Sequence, residues 1–382
     1  MKKIIRVTTI SGSLWVLLRG QLKYINQFYE VIGVASDGPH VKKLREEEGI
    51  AYIPVAMTRE ITPLKDLSAL WQLYRVFKRE KPFIVHTHTP KAGTLGMMAA
   101  KLAGVKHRLH TVAGLPLMEA KGKKRKLLNG VERVTYLCAT MVYPNSKGLE
   151  QLILDHNFTR PEKLKVLANG SSNGINVNKF SPESVSISQR NDLKEELDLA
   201  SDDIVLIFVG RMVRDKGINE LITAFKKLSA INTNLKLLLV GPYEEDLDPI
   251  SPDARQEINT NPSIIAAGWQ EDVRPYFAIS DLLVFPSYRE GFPNVVLQAG
   301  AMGLPSIVSN INGCNEIVQE GVNGLIIPVK SADAIQKAVQ RLLDDSMLRQ
   351  SMSDRARAVI VDQFDQKMVW EAILNEYKQL ED

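Results

Sequence analysis

The stretch EGFPNVVLQAGAMGLP, residues 290–305, follows the apolar run DLLVFPS at 281–287. That run is short, apolar and closed by Pro286 and Ser287, which reads as a strand buried on both faces of a parallel sheet. Pro293 then reads as the first helical position, where proline loses only an amide that would be orphaned anyway. The amides of Asn294, Val295 and Val296 therefore point out of a helix start, whose partial positive charge favours a phosphate. Glu290 stands beside them. Gln298 lies about one turn beyond Asn294, so both polar side chains share a face while Val295, Val296 and Leu297 mostly pack inward.

The same alternation runs through the whole chain. IIRVTTI (4–10), YEVIGVAS (29–36), FIVHTH (83–88), HRLHTV (107–112) and MVYPNS (141–146) are strand candidates separated by helical stretches. IVLIFVG (204–210), LKLLLVG (235–241), IIAAG (264–268), DLLVF (281–285) and PSIVS (305–309) form a second series. This is the βαβ pattern of doubly wound parallel sheets, and it predicts an α/β protein with two Rossmann-like domains. The polar stretch 181–203 begins as linker and ends as a short helix rich in Lys and Glu, so the domains are expected at 1–180 and 181–365. Residues 366–382 carry a last helix. Its Met368, Val369, Ile373 and Tyr377 recur at helical spacing and make a larger apolar face than a capping helix needs.

A chain of 382 residues exceeds the size at which single cores stop growing, about 250 to 300 residues, which agrees with two domains. Hydrophobic residues at 45% and charged residues at 24% describe an ordinary globular protein. A net charge of +4, without aromatic-basic interleaving, argues against nucleic acid as a partner. Cys138 and Cys314 are far apart and lack metal-type spacing, which fits two small buried thiols in a reducing compartment. The N-terminal MKKIIRVTTISGS is interrupted by Arg6 and the TTISGS run and reads as strand, turn and helix rather than a signal peptide. No apolar stretch is long enough to span a bilayer.

Several groups carry chemistry. In GRMVRDKG, Arg211 and Lys216 flank a turn behind the strand that ends at Gly210; two such cations neutralise a diphosphate, or are simply solvated. Glu290 alone would read as a solvated loop carboxylate. Gly241 ends another strand, where the missing side chain permits close ligand approach or merely a turn. His86 and His88 share a strand face, but no third ligand stands nearby, so a polar strand end is favoured over a metal site. Asp246 and Asp248 form an Asp-X-Asp string inside the acidic loop YEEDLDPISPD, which reads as a solvated charge run, and no metal ion is expected. The cluster KGKKRK at 121–126 places positive charge at a helix start, against the macrodipole, at a cost of about 0.3 to 1 kcal/mol per charge. It is either a solvated face or a contact with anionic lipid, worth about 1 kcal/mol per nearby cation.

HTHTPKAG (86–93), ANGSSNGINVNKF (168–180), GRMVRDKG (210–217), EGFPNVVLQAGAMGLP, INGCNEIV (311–318) and VNGLIIP (322–328) stand in one order along the chain. Together they resemble the retaining glycosyltransferases of GT-B family 4, over nearly the whole length. The resemblance implies two Rossmann-like doubly wound domains facing across a cleft, the first binding acceptor and the second binding donor, with the C-terminal helix crossing back to the first domain. It also implies roles. Glu290 and Gln298 occupy the two glutamate positions of the family's signature, the first on the donor sugar hydroxyls and the second on the ribose. Arg211 and Lys216 match the diphosphate motif, and Glu290, Arg211 and Lys216 are the expected catalytic residues. Gly12 in the Ser11-Gly12-Ser13 turn, Gly210, Gly241, Gly291, Phe292, Asn294 and Val295 fall on the donor side. Trp269, between Gly268 and Gln270, stands where the family cradles the base, although core packing reads equally well.

Two departures mark the chain. Gln298 replaces a glutamate and keeps hydrogen bonds to a ribose, now neutral rather than charge-assisted. Ala113 replaces the histidine of the family's Thr-X-His-Gly string, leaving His88 and His110 as candidates for acceptor or sugar contact. The implied activity transfers a sugar from a nucleotide diphosphate, a UDP-sugar first among them, to a polyprenyl-diphosphate-linked saccharide, as in capsule or O-antigen synthesis. The implied setting is cytoplasmic, on the inner face of the membrane, held by Lys121, Lys123, Lys124, Arg125 and Lys126. A nucleotide-sugar epimerase of the same fold and a non-catalytic sugar-nucleotide-binding subunit are the alternatives.

Overall fold

The computed structural model describes every residue except Pro116, Met118, Glu119, Glu245, Leu247 and Asp382. The chain forms two compact units, Met1–Gly174 with Gln366–Asp382, and Ile175–Asp365. It leaves the first unit ahead of the expected residue 180, because Ile175, Val177 and Phe180 are buried in the second unit's core.

The first unit is built on β1 (Lys3–Ile10), β2 (Glu30–Ser36), β3 (Ala51–Pro54), β4 (Ile84–Thr87), β5 (His107–Val112) and β6 (Met141–Pro144). They form one parallel sheet in the order β3-β2-β1-β4-β5-β6. The second unit uses β7 (Ile204–Val209), β8 (Leu235–Val240), β9 (Ile264–Gly268), β10 (Leu282–Phe285), β11 (Ser306–Ser309) and β12 (Gly324–Ile327). Its order, β12-β11-β10-β7-β8-β9, is the same topology counted from the unit's own first strand. In each sheet the order reverses between the first and fourth strands. Ligands of open α/β sheets bind outside the carboxyl ends of the strands at such a point. In these units it falls beyond β1 and β4, and beyond β7 and β10.

The strands are apolar because helices cover both faces. Phe208 of β7 stacks on Phe285 of β10, with ring centres 5.9 Å apart, inside that layer. The two strands absent from the sequence-based series, β3 and β12, lie at sheet edges; β3 is only partly buried, and β12 lies inside the VNGLIIP string. The helix Gln366–Gln379 packs on the first unit through Val369, Trp370, Ile373, Leu374 and Tyr377, against Leu14, Leu22, Ile25 and Tyr29 among others. Met368, expected on that face, is turned outward. Ser11, Gly12 and Ser13 form the first turn of the helix Ser11–Leu17 rather than a turn ahead of it. Among the described residues, no helix is long and apolar enough to cross a membrane.

Candidate functional site

In the second unit the strand ends converge through glycines. Gly241 sits so close to Gly210 that a Cβ would lie 1.8 Å from the Gly210 carbonyl oxygen, and its amide donates to the Gly268 carbonyl at 2.8 Å. Gly217, with φ +74°, would place a Cβ 2.2 Å from the Pro286 carbonyl oxygen. Only glycine lets the turn behind β7 lie directly on the residue that follows β10. That approach carries Lys216 to Glu290. The Lys216 ammonium bonds Glu290 Oε1, and each side chain keeps only about one-sixth of its exposure, 15% and 16%.

The loop holding Glu290 is braced from three sides. Ser287, fully buried, donates its hydroxyl to Glu290 Oε1 at 3.0 Å. The Asn312 amide donates to the carbonyls of Glu290 (3.3 Å) and Gly291 (3.0 Å). Gly313 packs so that a Cβ would meet the Gly291 carbonyl at 2.5 Å. Ser287, Asn312 and Gly313 were not read as site residues from the sequence. The INGCNEIV string was the available signal, but a bracing role shows only once the backbone contacts exist. Cys314, adjacent and fully buried, has its thiol pushed well above the ordinary range by burial and then by Glu290, so it stays protonated.

Arg211 projects from the same turn as Lys216 and pairs with Glu244 at 2.7 Å while keeping 45% of its side chain exposed. Asp248 bonds Arg214 at 2.8 Å through one oxygen and accepts the Asp215 amide at 2.8 Å through the other. The second acid of the Asp-X-Asp string thus ties down the turn. Trp269 is 67% exposed at the end of β9, which removes core packing as its role.

The helix Asn294–Ala301 begins one residue later than expected, with Pro293 at its N-cap. The Val296 amide turns back to the Pro293 carbonyl at 3.2 Å, so the outward-facing amides reduce to Asn294 and Val295. Gln298 is half-buried on the face of Asn294. Phe292 points into the core against Phe364, ring centres 5.5 Å apart, which limits any donor contact to its backbone.

In the first unit the two candidate histidines separate. His88 lies just beyond β4, at the reversal point of the sheet, with its Nε2 accepting from Arg6 at 2.9 Å. His110 faces the opposite side of the sheet, its Nδ1 sharing a proton with the Thr87 hydroxyl at 2.8 Å. The helix Pro90–Ala103 covers it so closely that a Cβ on Gly93 would sit 2.4 Å from the ring. What separates the two is position rather than exposure, His110 at 3% and His88 at 4%: His110 is packed under the helix Pro90–Ala103, and His88 lies at the carboxyl end of β4. Within KGKKRK, Lys121, Lys123, Lys124 and Lys126 are exposed along the start of the helix Gly122–Cys138. Arg125 turns inward instead, donating to the Leu117 carbonyl at 2.5 Å and meeting His156 Nε2 at 2.8 Å.

Comparison with known proteins agrees with this arrangement. Residues 24–170 match the family model described as glycosyl transferase 4-like domain, and residues 189–359 match glycosyl transferases group 1. The chain is 34% identical to the capsular polysaccharide biosynthesis glycosyltransferase CapM of Staphylococcus aureus, over 98% of this chain and 97% of that protein. It is 32% identical to an Escherichia coli UDP-Gal:alpha-D-GlcNAc-diphosphoundecaprenol alpha-1,3-galactosyltransferase, over 86% of this chain and 83% of that one. Among solved structures, Anabaena HepE in complex with UDP superposes with a TM-score of 0.81 at 19% identity, covering 99% of this chain and 100% of that one.

The buried histidines make stability sensitive to acid. Burial lowers His110 from the ordinary 6.5 to about 4, and holds His86 and His88 well below 6.5. The unfolded chain takes up protons that the folded chain refuses. Stability is therefore full above about pH 6.5 and falls toward pH 4, by at most about 1.4 kcal/mol per pH unit for each such group. Thermal melts across this range should show that fall, and His110→Asn should make it shallower.

Proposed function

The chain belongs to the glycosyltransferases of GT-B fold and family 4 type, and on that footing we propose that it moves a sugar from a UDP-sugar to a polyprenyl-diphosphate-linked saccharide with retention of anomeric configuration. The observation that carries the reading is the Lys216–Glu290 pair at the reversal point of the second sheet, with Arg211 and the Asn294–Val295 amides beside it. Departure of a nucleoside diphosphate concentrates negative charge on its oxygens. Lys216, Arg211 and the helix start supply positive charge there without a metal ion.

Both cations already have carboxylate partners, so the diphosphate replaces Glu244 at Arg211 and draws Lys216 away from Glu290. Glu290 then turns to the hydroxyls of the donor sugar. Gln298 bonds the ribose through its amide. The E. coli relative, by its name, takes UDP-galactose to a diphosphoundecaprenol-linked sugar, which supports this donor and acceptor class. The relation to CapM supports a role in polysaccharide assembly.

A membrane-linked acceptor also fits the surface of the first unit. The helix Gly122–Cys138 exposes Leu127, Val134 and Leu137 along with its lysines, and the helix Pro63–Glu80 exposes Leu64, Leu67 and Trp71. Apolar residues with cations around them suit the inner surface of an anionic membrane.

Four outcomes are expected. Glu290→Gln should lower turnover by about a hundredfold or more while UDP still protects against thermal unfolding; full turnover would remove Glu290 from the reaction. Gln298→Glu, which restores a charge-assisted bond, should tighten UDP binding about fivefold in calorimetry. Replacing Lys123, Lys124 and Lys126 by Gln should weaken sedimentation with anionic vesicles by about a hundredfold, at about 1 kcal/mol per lost charge. Arg125→Gln should leave that binding unchanged, since Arg125 faces inward.

A further inference from the structure

Arg6, in the central strand β1, is fully buried and leads the fully buried side chains by volume. Its hydrogen-bond partners are all neutral. The Nε–H donates to His88 Nε2 at 2.9 Å, Nη1 donates to Tyr377 Oη at 3.0 Å, and Nη2 donates to Gln21 Oε1. Tyr377 comes from the C-terminal helix, and Gln21 donates onward to the Ser172 carbonyl at 3.1 Å and Asn173 Oδ1 at 3.0 Å.

These contacts determine where the protons sit. A guanidinium can only donate, so His88 offers a lone pair at Nε2, and its neutral ring carries the proton on Nδ1. Tyr377 Oη accepts from Arg6 and donates its single proton to His86 Nδ1 at 2.6 Å. His86 therefore carries its proton on Nε2, which donates to Thr111 Oγ1 at 2.8 Å. Two histidines on one strand face, two residues apart, hold opposite tautomers. Burial first, then the charge of Arg6, keeps both rings neutral, with His110 adding to the same effect.

The Nδ1 of His88 is buried and has no hydrogen-bond partner among the described residues. A buried donor without an acceptor costs about 1 to 3 kcal/mol, and each such group needs an explanation. This one stands at the carboxyl end of β4, where the first sheet's order reverses and ligands of such sheets bind. We propose that Arg6 is a positioning residue that holds His88 as a hydrogen-bond donor, through Nδ1, to an oxygen of the substrate. His88 then serves to orient that oxygen and takes no part as a base, because its other nitrogen is already committed to Arg6. The identity of the substrate rests on the transferase reading above; the tautomer does not.

The test has two arms. Long-range 15N–1H spectra of histidine-labelled protein, with His88 assigned by its loss in His88→Gln, should show Nδ1–H and no titration between about pH 5 and 8. An Nε2–H ring, or titration in that range, overturns the proposal without touching the transferase reading. Arg6→Met should shift His88 toward Nε2–H, while Arg6→Lys, which keeps a charged donor, should retain Nδ1–H. If Arg6→Met does not fold, the wild-type and Arg6→Lys spectra decide. In the second arm, transfer is measured with His88→Asn, whose amide nitrogen falls near the place of Nδ1, and with His88→Gln, whose nitrogen falls near that of Nε2. The Asn variant should keep about a tenth of kcat or more, and the Gln variant should lose about a hundredfold. The opposite ranking overturns the donor role, whereas absence of transfer by the wild type overturns the transferase reading alone.

Discussion

The second unit's site depends on the contact between Gly217 and Pro286. Neighbouring parallel strands run about 4.8 Å apart, and loops at their ends are free to diverge from there. A side chain at residue 217 would hold them apart, since even a Cβ would lie 2.2 Å from the Pro286 carbonyl oxygen. With glycine, the turn behind β7 rests on the residue after β10, and a lysine and a glutamate 74 residues apart in sequence meet. Gly313 against Gly291, and Gly241 against Gly210, apply the same constraint around the rim. These glycines contribute no chemistry. They fix the backbone that brings Lys216 and Glu290 together beside Arg211.

The two units handle buried charge differently, and the difference suits different tasks. In the second unit the cations are matched by carboxylates: Arg211 by Glu244 in a half-exposed pair, and Lys216 by Glu290 in a more enclosed one. The half-exposed Arg211–Glu244 pair is worth little and can open readily, whereas the enclosed Lys216–Glu290 pair is screened less. In the first unit Arg6 is wholly enclosed by His88, Tyr377 and Gln21, with nothing to exchange. Its charge orients hydrogen bonds, and through Tyr377 it joins the C-terminal helix to the strand that carries His86 and His88.

Much of the fold was legible because parallel strands buried on both faces leave continuous apolar runs. The edge strand β3 escaped because AYIP is only partly buried and shows no continuous apolar run, and β12 escaped because GLII lies inside VNGLIIP, which reads as a motif rather than a strand. The start of the Asn294 helix was misplaced by one residue, since proline suits the first helical position and structure alone shows that it occupies the cap. Arg211, Lys216, Glu290 and Gln298 stand out through their motifs, and the fold brings Lys216 and Glu290 together. Ser287 and Asn312 do not stand out, because a serine or asparagine in a loop acquires meaning only from the carbonyl or carboxylate it meets. Likewise Arg125 was read with the lysines around it, and only its bond to Leu117 distinguishes it.

By itself the sequence determined two doubly wound α/β units, the family, and which charged residues sit in its motifs, because strand periodicity and motif spacing are local along the chain. Tertiary structure decided which of those charges are paired, which histidine lies under the helix Pro90–Ala103 and which at the carboxyl end of β4, and which ring nitrogen holds the proton. Those properties depend on partners brought together across long separations, 371 residues in the case of Arg6 and Tyr377, and no local pattern encodes such a meeting.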